Sequence, residues 1–110
     1  MTTIEERAPL VTLINVFTVD PERAAELVEL LRVATEEKMQ FVPGFISANI
    51  HRSSDGTRVV NYAQWQSTEA YQSMFEDPSA RAHMEVCATV ATSFEPHLYT
   101  VESVHHAPNV

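Results

Sequence analysis

Residues 45–66, FISANIHRSSDGTRVVNYAQWQ, decide the fold of this chain. Two runs rich in β-branched and aromatic residues, Phe45 to Arg52 and Thr57 to Gln66, flank Ser53-Ser54-Asp55-Gly56 and read as a hairpin. A three-residue loop, Ser54-Asp55-Gly56 with Gly56 left-handed, fits this spacing. It sets His51 opposite Val59, Asn49 opposite Asn61 and Phe45 opposite Trp65. Side chains alternate along a strand. One face then carries Phe45, Ser47, Asn49, His51, Val59, Asn61, Ala63 and Trp65, and the other Ile46, Ala48, Ile50, Val60 and Tyr62. Neither face is polar enough for water, so each needs a cover.

The flanking segments supply one cover. Val11 to Val19 reads as a strand. Asp20-Pro21 then starts a helix that turns Ala24, Leu27, Val28, Leu31 and Ala34 to one side and runs to about Gln40. Pro43-Gly44 stops it. Ser67 caps a short helix bearing Tyr71, Met74 and Phe75 on one side. Asp77-Pro78 starts a third helix with Met84, Cys87, Ala88 and Ala91 inward. Pro96 ends that helix, and Leu98 to His106 alternates as a last strand. Residues 1–9 are expected to form a flexible arm. The order βαββααβ predicts a single ferredoxin-like α+β domain over residues 1–110, with helices on one face of a four-stranded antiparallel sheet. No helix remains for the second face, which predicts a homodimer that pairs two sheets.

Composition narrows the partners. The chain has 110 residues, 45% apolar and 20% charged, as expected of one globular domain. A net charge of −8 disfavours nucleic acid and anionic membrane surfaces, which require clustered positive charge. No apolar run approaches the ~20 residues that span a bilayer. The N-terminus lacks a basic segment followed by an apolar one, and the single Cys87 excludes an internal disulfide; cytoplasm is the expected location.

The mixed hairpin face points to a cleft between sheet and helices. Asn49, His51, Asn61 and Trp65, joined by Asn15 from the first strand, bring hydrogen-bonding groups into apolar surroundings, the usual make-up of a small-molecule site. Phe45, Met74 and Met84 are the expected apolar contacts. Tyr62 falls on the opposite face, as dimer core. Cys87 reads as packing, and the adjacent His105 and His106 point opposite ways on a strand, so neither makes a metal site. No nucleotide, metal or triad motif is present.

From LINVFTVDPER through VPGFISANIHRSSDGT and VVNYAQW to the cap at Ser67, the chain resembles the antibiotic biosynthesis monooxygenase family, and from His51 to Tyr71 its anthrone oxygenases. The resemblance implies a dimeric α+β barrel. It also implies a cofactor-independent oxidation of an electron-rich polycyclic phenol to a quinone, with molecular oxygen as co-substrate and no metal or flavin. In that reading Asn61 and Trp65 donate to a carbonyl or phenolate, Tyr71 hydrogen-bonds a ring oxygen or shuttles a proton, and His51 is the general base. Some such oxygenases carry an arginine where this chain has Met84, with Arg81 and His83 nearby. Two alternatives accompany this reading. One is a haem-degrading monooxygenase of the same fold, for which Asn15 matches, His83 matches with a slip, and Met74 stands near an expected tryptophan. The other is a non-catalytic small-molecule binding protein.

Overall fold

The molecule is known here from a computed structural model, which describes residues 2–108. Its elements are β1 (Val11–Thr18), α1 (Ala24–Glu37), β2 (Phe45–Arg52), β3 (Arg58–Trp65), α2 (Thr68–Ser73), α3 (Pro78–Val90) and β4 (Ser93–Tyr99), with short 3-10 turns at Pro21–Arg23, Met39–Phe41 and Met74–Glu76. The strands form one antiparallel sheet in the order β2-β3-β1-β4, with the helices packed on one face. This is the ferredoxin-like α+β architecture that the order of elements predicts.

Local chemistry accounts for the helix starts. Asp20 accepts from Glu22 N at 3.0 Å, ahead of Pro21. Ser67 Oγ accepts from Ala70 N at 3.0 Å, and Asp77 Oδ1 from Ser79 N and Ala80 N. Each cap satisfies an N–H that the helix leaves free, worth about 1 kcal/mol. Asp77 also pairs with Lys38 at 2.5 Å, tying the end of α1 to the start of α3. That ammonium, with the capping N–H groups, holds the Asp77 carboxyl below its ordinary range. Gly44 has φ +88°, and a Cβ there would collide with the Cβ of Ala70, so the chain entering β2 lies directly against α2.

The hairpin departs from the expected register. Ser53 N donates to Arg58 O at 2.9 Å, so four residues, Ser54 to Thr57, form the loop. Gly56 is left-handed as expected, at φ +75°. The difference comes from Asp55, whose Oδ1 accepts from Thr57 N, Thr57 Oγ1 and Ser53 Oγ at 2.7–3.0 Å and so draws Thr57 into the turn. His51 therefore pairs with Val60, Ile50 with Asn61, Asn49 with Tyr62 and Ala48 with Ala63. A bulge between Phe45 and Ser47 takes up the extra residue, and Phe45 still faces Trp65. Ala48 and Ile50 thus lie toward the helices, whereas Ser47, Asn49 and His51 lie on the other face with Val60 and Tyr62. The slip exchanges the two faces of β2 alone.

Two further boundaries differ. α1 ends at Glu37 and tightens into the turn at Met39–Phe41, a common way for a helix to finish. α3 ends at Val90, and Pro96 lies inside β4 rather than ending the helix. The edge position of β4 makes this possible, because only one side of an edge strand needs hydrogen bonds. Residues 100–108 hold no strand.

The core has two parts. One packs Phe17, Val19, Leu27, Leu31, Val59, Cys87 and Val90; the other packs Leu13, Val42, Ala63, Trp65, Met74 and Ala80. Between the Phe17/Val59 row of the sheet and the Leu13/Ala63 row runs a row of Pro96, Asn15, Asn61 and Ile50. Two amides in the middle of the sheet divide the core. The second face is partly crossed by the N-terminal arm: Gln64 Nε2 donates to Thr3 O at 2.7 Å and Asn49 Nδ2 to Thr2 Oγ1 at 2.5 Å. No helix is long and apolar enough to cross a membrane, among the described residues.

Candidate active site

A cavity of about 310 Å³ opens where the two parts of the core meet. The central strands β1 and β3 form its floor, with Leu13, Asn15, Phe17, Asn61, Ala63 and Trp65. α1 contributes Leu31, Ala34 and Thr35, and the turn after it Met39. Tyr71, Met74 and Phe75 form the wall at α2, and Arg81, Met84, Glu85, Cys87 and Ala88 the wall at α3. Phe45 and Ala48 close the β2 side, and Phe94 and Pro96 the β4 side. The volume is at the lower end of the ~300–1,000 Å³ range of small-molecule sites, and the lining is mostly apolar.

Strand alternation aims the polar groups. Asn15 and Asn61 are cross-strand partners at the centre of the sheet, and Trp65 lies on the same face of β3, four residues beyond Asn61. Asn15 is 8% exposed and Trp65 2%. The Oδ1 atoms of both asparagines and the indole Nε1 of Trp65 are buried without a hydrogen-bond partner. Leaving a buried polar group unpaired costs about 1–3 kcal/mol. Three such atoms at one cavity point to a ligand that supplies their partners. The indole can only donate, whereas an amide presents its oxygen or, rotated by half a turn, its NH2.

Aromatic rings continue from this cluster toward the opening. Phe45 meets Trp65 edge-on with centroids 5.5 Å apart, Trp65 meets Tyr71 at 5.9 Å, and Tyr71 meets Phe75 at 5.2 Å. These edge-to-face contacts hold the Trp65 ring in place. Burial raises the Tyr71 phenol above its ordinary pKa, so it is a neutral donor rather than a base at neutral pH. Burial likewise pushes the Cys87 thiol up to about 11, which keeps it protonated and a weak nucleophile.

Of the residues selected from sequence, Asn15, Phe45, Asn61, Trp65, Tyr71, Met74 and Met84 all line this cavity. Asn49 and His51 do not. The four-residue loop turns both to the second face, where Asn49 donates to Tyr62 O at 3.1 Å and His51 is exposed. The amide beside Asn61 is Asn15, not Asn49. His51 cannot reach the cavity, which removes it as general base. His83 also lies outside the lining, and with it the iron ligand that the haem reading needs. Among the described residues no group of His, Cys, Asp and Glu is placed to hold a metal.

Sequence reading missed Arg81, Glu85, Phe94 and Pro96 as lining. Arg81 and Glu85 were legible, since Arg81 shares a helix face with Met84 at three residues and with Glu85 at four. Phe94 and Pro96 were hidden by starting the last strand too late.

Comparison with known proteins places this cavity in a family. Residues 10–86 match the sequence profile described as antibiotic biosynthesis monooxygenase. Tetracenomycin-F1 monooxygenase of Streptomyces glaucescens is 44% identical over 91 residues, 83% of this chain and 81% of that protein. The monooxygenase ActVA-Orf6 of Streptomyces coelicolor, solved with Nanaomycin D, is 35% identical with a TM-score of 0.78, over 92% of this chain and 94% of that one. SnoaB of Streptomyces nogalater, a cofactor-independent oxygenase, shares the fold at 24% identity with a TM-score of 0.76, over 88% of this chain and 97% of that one. A profile match over most of the chain and two relatives above 30% identity agree: the chain belongs to the antibiotic biosynthesis monooxygenase family.

Proposed function

We propose that this protein is a cofactor-independent monooxygenase that oxidises an electron-rich polycyclic phenol of anthrone or hydroquinone type to a quinone, in aromatic polyketide or related metabolism. The observation that carries the reading is the trio of unpartnered polar atoms on Asn15, Asn61 and Trp65, set in an apolar cavity walled by aromatic rings. A flat polycycle with a ring oxygen at one edge meets both features. The name of the tetracenomycin-F1 relative and the Nanaomycin D bound by ActVA-Orf6 support the substrate class. The description of SnoaB supports chemistry without a cofactor.

The reaction follows from the substrate's own electrons. Triplet oxygen reacts poorly with closed-shell molecules, but an anthrone anion transfers one electron to it readily. The resulting pair recombines at carbon, and loss of water leaves the carbonyl. In balance, a CH2 group and O2 give C=O and H2O. The protein favours the anion: Trp65 Nε1 and the Asn61 amide donate to the oxygen that gains charge, in a site that excludes water. Asn15 orients the same edge, and Tyr71 returns a proton as the peroxidic oxygen leaves. Phe45, Met74 and Met84 hold the ring faces. With His51 outside the cavity, the substrate's acidic proton passes to water at the mouth.

We also infer that the working unit is a homodimer. Ile14, Val16, Val60 and Tyr62 stand together on the second face, only half-buried in one chain. A second copy would remove them from water at about 25 cal/mol per Å². Light scattering should give twice 12.3 kDa, and Val60→Asp should halve it. Ile50→Asp should instead unfold the chain, because Ile50 packs against the helices.

The test of the function is oxygen uptake. Purified protein should be colourless and consume one O2 per quinone formed from an anthrone, with no loss of rate in EDTA and no added flavin. A rate that requires metal or flavin rejects the mechanism, and tight binding without uptake favours a binding protein.

A further inference from the structure

Arg81 is the one basic side chain among those that line the cavity, and it is exposed to solvent. Its place there is set by helix geometry. Positions 81, 84, 85 and 88 share one face of α3, and Met84, Glu85 and Ala88 all line the cavity with it. The guanidinium makes no ion pair among the described residues. Two carboxylates lie within one helical turn. Asp77 is committed to Lys38 and to the helix cap, and Glu85 lines the same rim unpaired. The chain as a whole carries −8, so a cation at the cavity is the feature there that favours an anionic ligand. The cavity lining also includes two exposed aromatic rings, Phe75, 37% exposed, and Phe94, 49% exposed.

We propose that Arg81 anchors an anionic substituent, a carboxylate carried on the outer ring of the polycyclic substrate, and so selects acid-bearing substrates over neutral ones. This rests on the polycyclic-phenol reading above and deepens it. The ligand would be read at both ends. Neutral donors at Asn61 and Trp65 take the ring oxygen on the floor, and a bidentate guanidinium takes the carboxylate at the mouth. Fixing both ends sets which ring carbon faces the reacting edge. Glu85 opposes the same anion and limits its affinity.

Trp65 is the only tryptophan and lines the cavity, so its fluorescence reports occupancy without turnover. The probes are an anthraquinone carboxylate and its neutral carboxamide, titrated into the intact protein at low ionic strength. The carboxylate should bind about fivefold tighter, the scale of one exposed charge pair. Arg81→Gln should bring that ratio to about one, Arg81→Lys should keep part of it, and Glu85→Gln should raise it. A wild-type ratio of one or less, or a preference that survives in Arg81→Gln, overturns the proposal. If the preference holds but no anthrone drives oxygen uptake, the oxidation reading fails and the anion anchor stands.

Discussion

The two faces of β3 treat similar side chains in opposite ways. On the second face Gln64 is 2% exposed and fully engaged, accepting from Ser47 Oγ at 3.1 Å and donating to Thr3 O. On the helix face Trp65 is equally enclosed and Asn61 is half-buried with its Oδ1 covered, yet Oδ1 and Nε1 have no partner. Within one strand, the amide on the second face has its bonds made inside the chain, and the amide that lines the cavity does not. Buried polar groups are otherwise almost always paired, so the unpaired ones single out the cavity more sharply than residue type does. Thr12 Oγ1 is the exception, unpartnered on the second face beside Gln64.

The contrast can be broken by exchanging roles. Asn61→Ala and Trp65→Phe should lower kcat on the order of 10²-fold, with a smaller rise in KM, because their bonds strengthen as charge develops on the substrate oxygen. An effect on KM alone would make them ground-state contacts. Gln64→Ala should do the reverse. Loss of its two bonds and exposure of the arm should cost about 1–3 kcal/mol in urea unfolding, with kcat near wild type. A catalytic defect in a well-folded Gln64→Ala protein would erase the distinction between the faces.

Smaller effects sharpen the register on which the contrast depends. Hydrogen bonds from Thr57 and Ser53 depress the Asp55 carboxyl to about 2, below the ~3.9 of a free aspartate. A depressed value means that the ionised form stabilises the folded hairpin. The advantage of wild type over Asp55→Ala in urea midpoint should be constant above about pH 5 and shrink as pH falls from ~4 toward 2. A gap that widens in acid would contradict the turn. Last, His51→Ala should leave kcat within about twofold and the pH–rate profile unmoved, since the side chain lies across the sheet from the cavity. A shifted acid limb would return His51 to the site.

Most of the fold was legible because its signals are local. Asp20-Pro21, Ser67 and Asp77-Pro78 each announce a helix start by the chemistry of free N–H groups, and the structure caps its helices there. Five of the seven chosen residues that line the cavity, Asn15, Asn61, Trp65, Tyr71 and Met84, were legible because alternation along β1 and β3 and helical spacing in α2 and α3 fix their faces. The error at Asn49 and His51 arose where one side chain decides. Whether Thr57 belongs to loop or strand depends on Asp55 reaching it, and the pattern of hydrophobic residues does not record that bond. A bulge at the other end then hid the slip by restoring Phe45 to Trp65. Pro96 misled for a related reason: proline ends helices, but on an edge strand it is tolerated, and edge position is a property of the assembled sheet.

The contact of Gly44 with Ala70 has a mechanical consequence. α2 rests on bare backbone at that point, and the next residue, Tyr71, supplies the ring that touches Trp65. Position 70 is therefore a shim under the aromatic wall. A Cβ added at position 44 would lie 2.4 Å from that of Ala70, and α2 would have to lift to admit it, carrying Tyr71 away from the floor. Gly44→Ala offers a way to widen the cavity for a broader ring system while every floor residue stays unchanged.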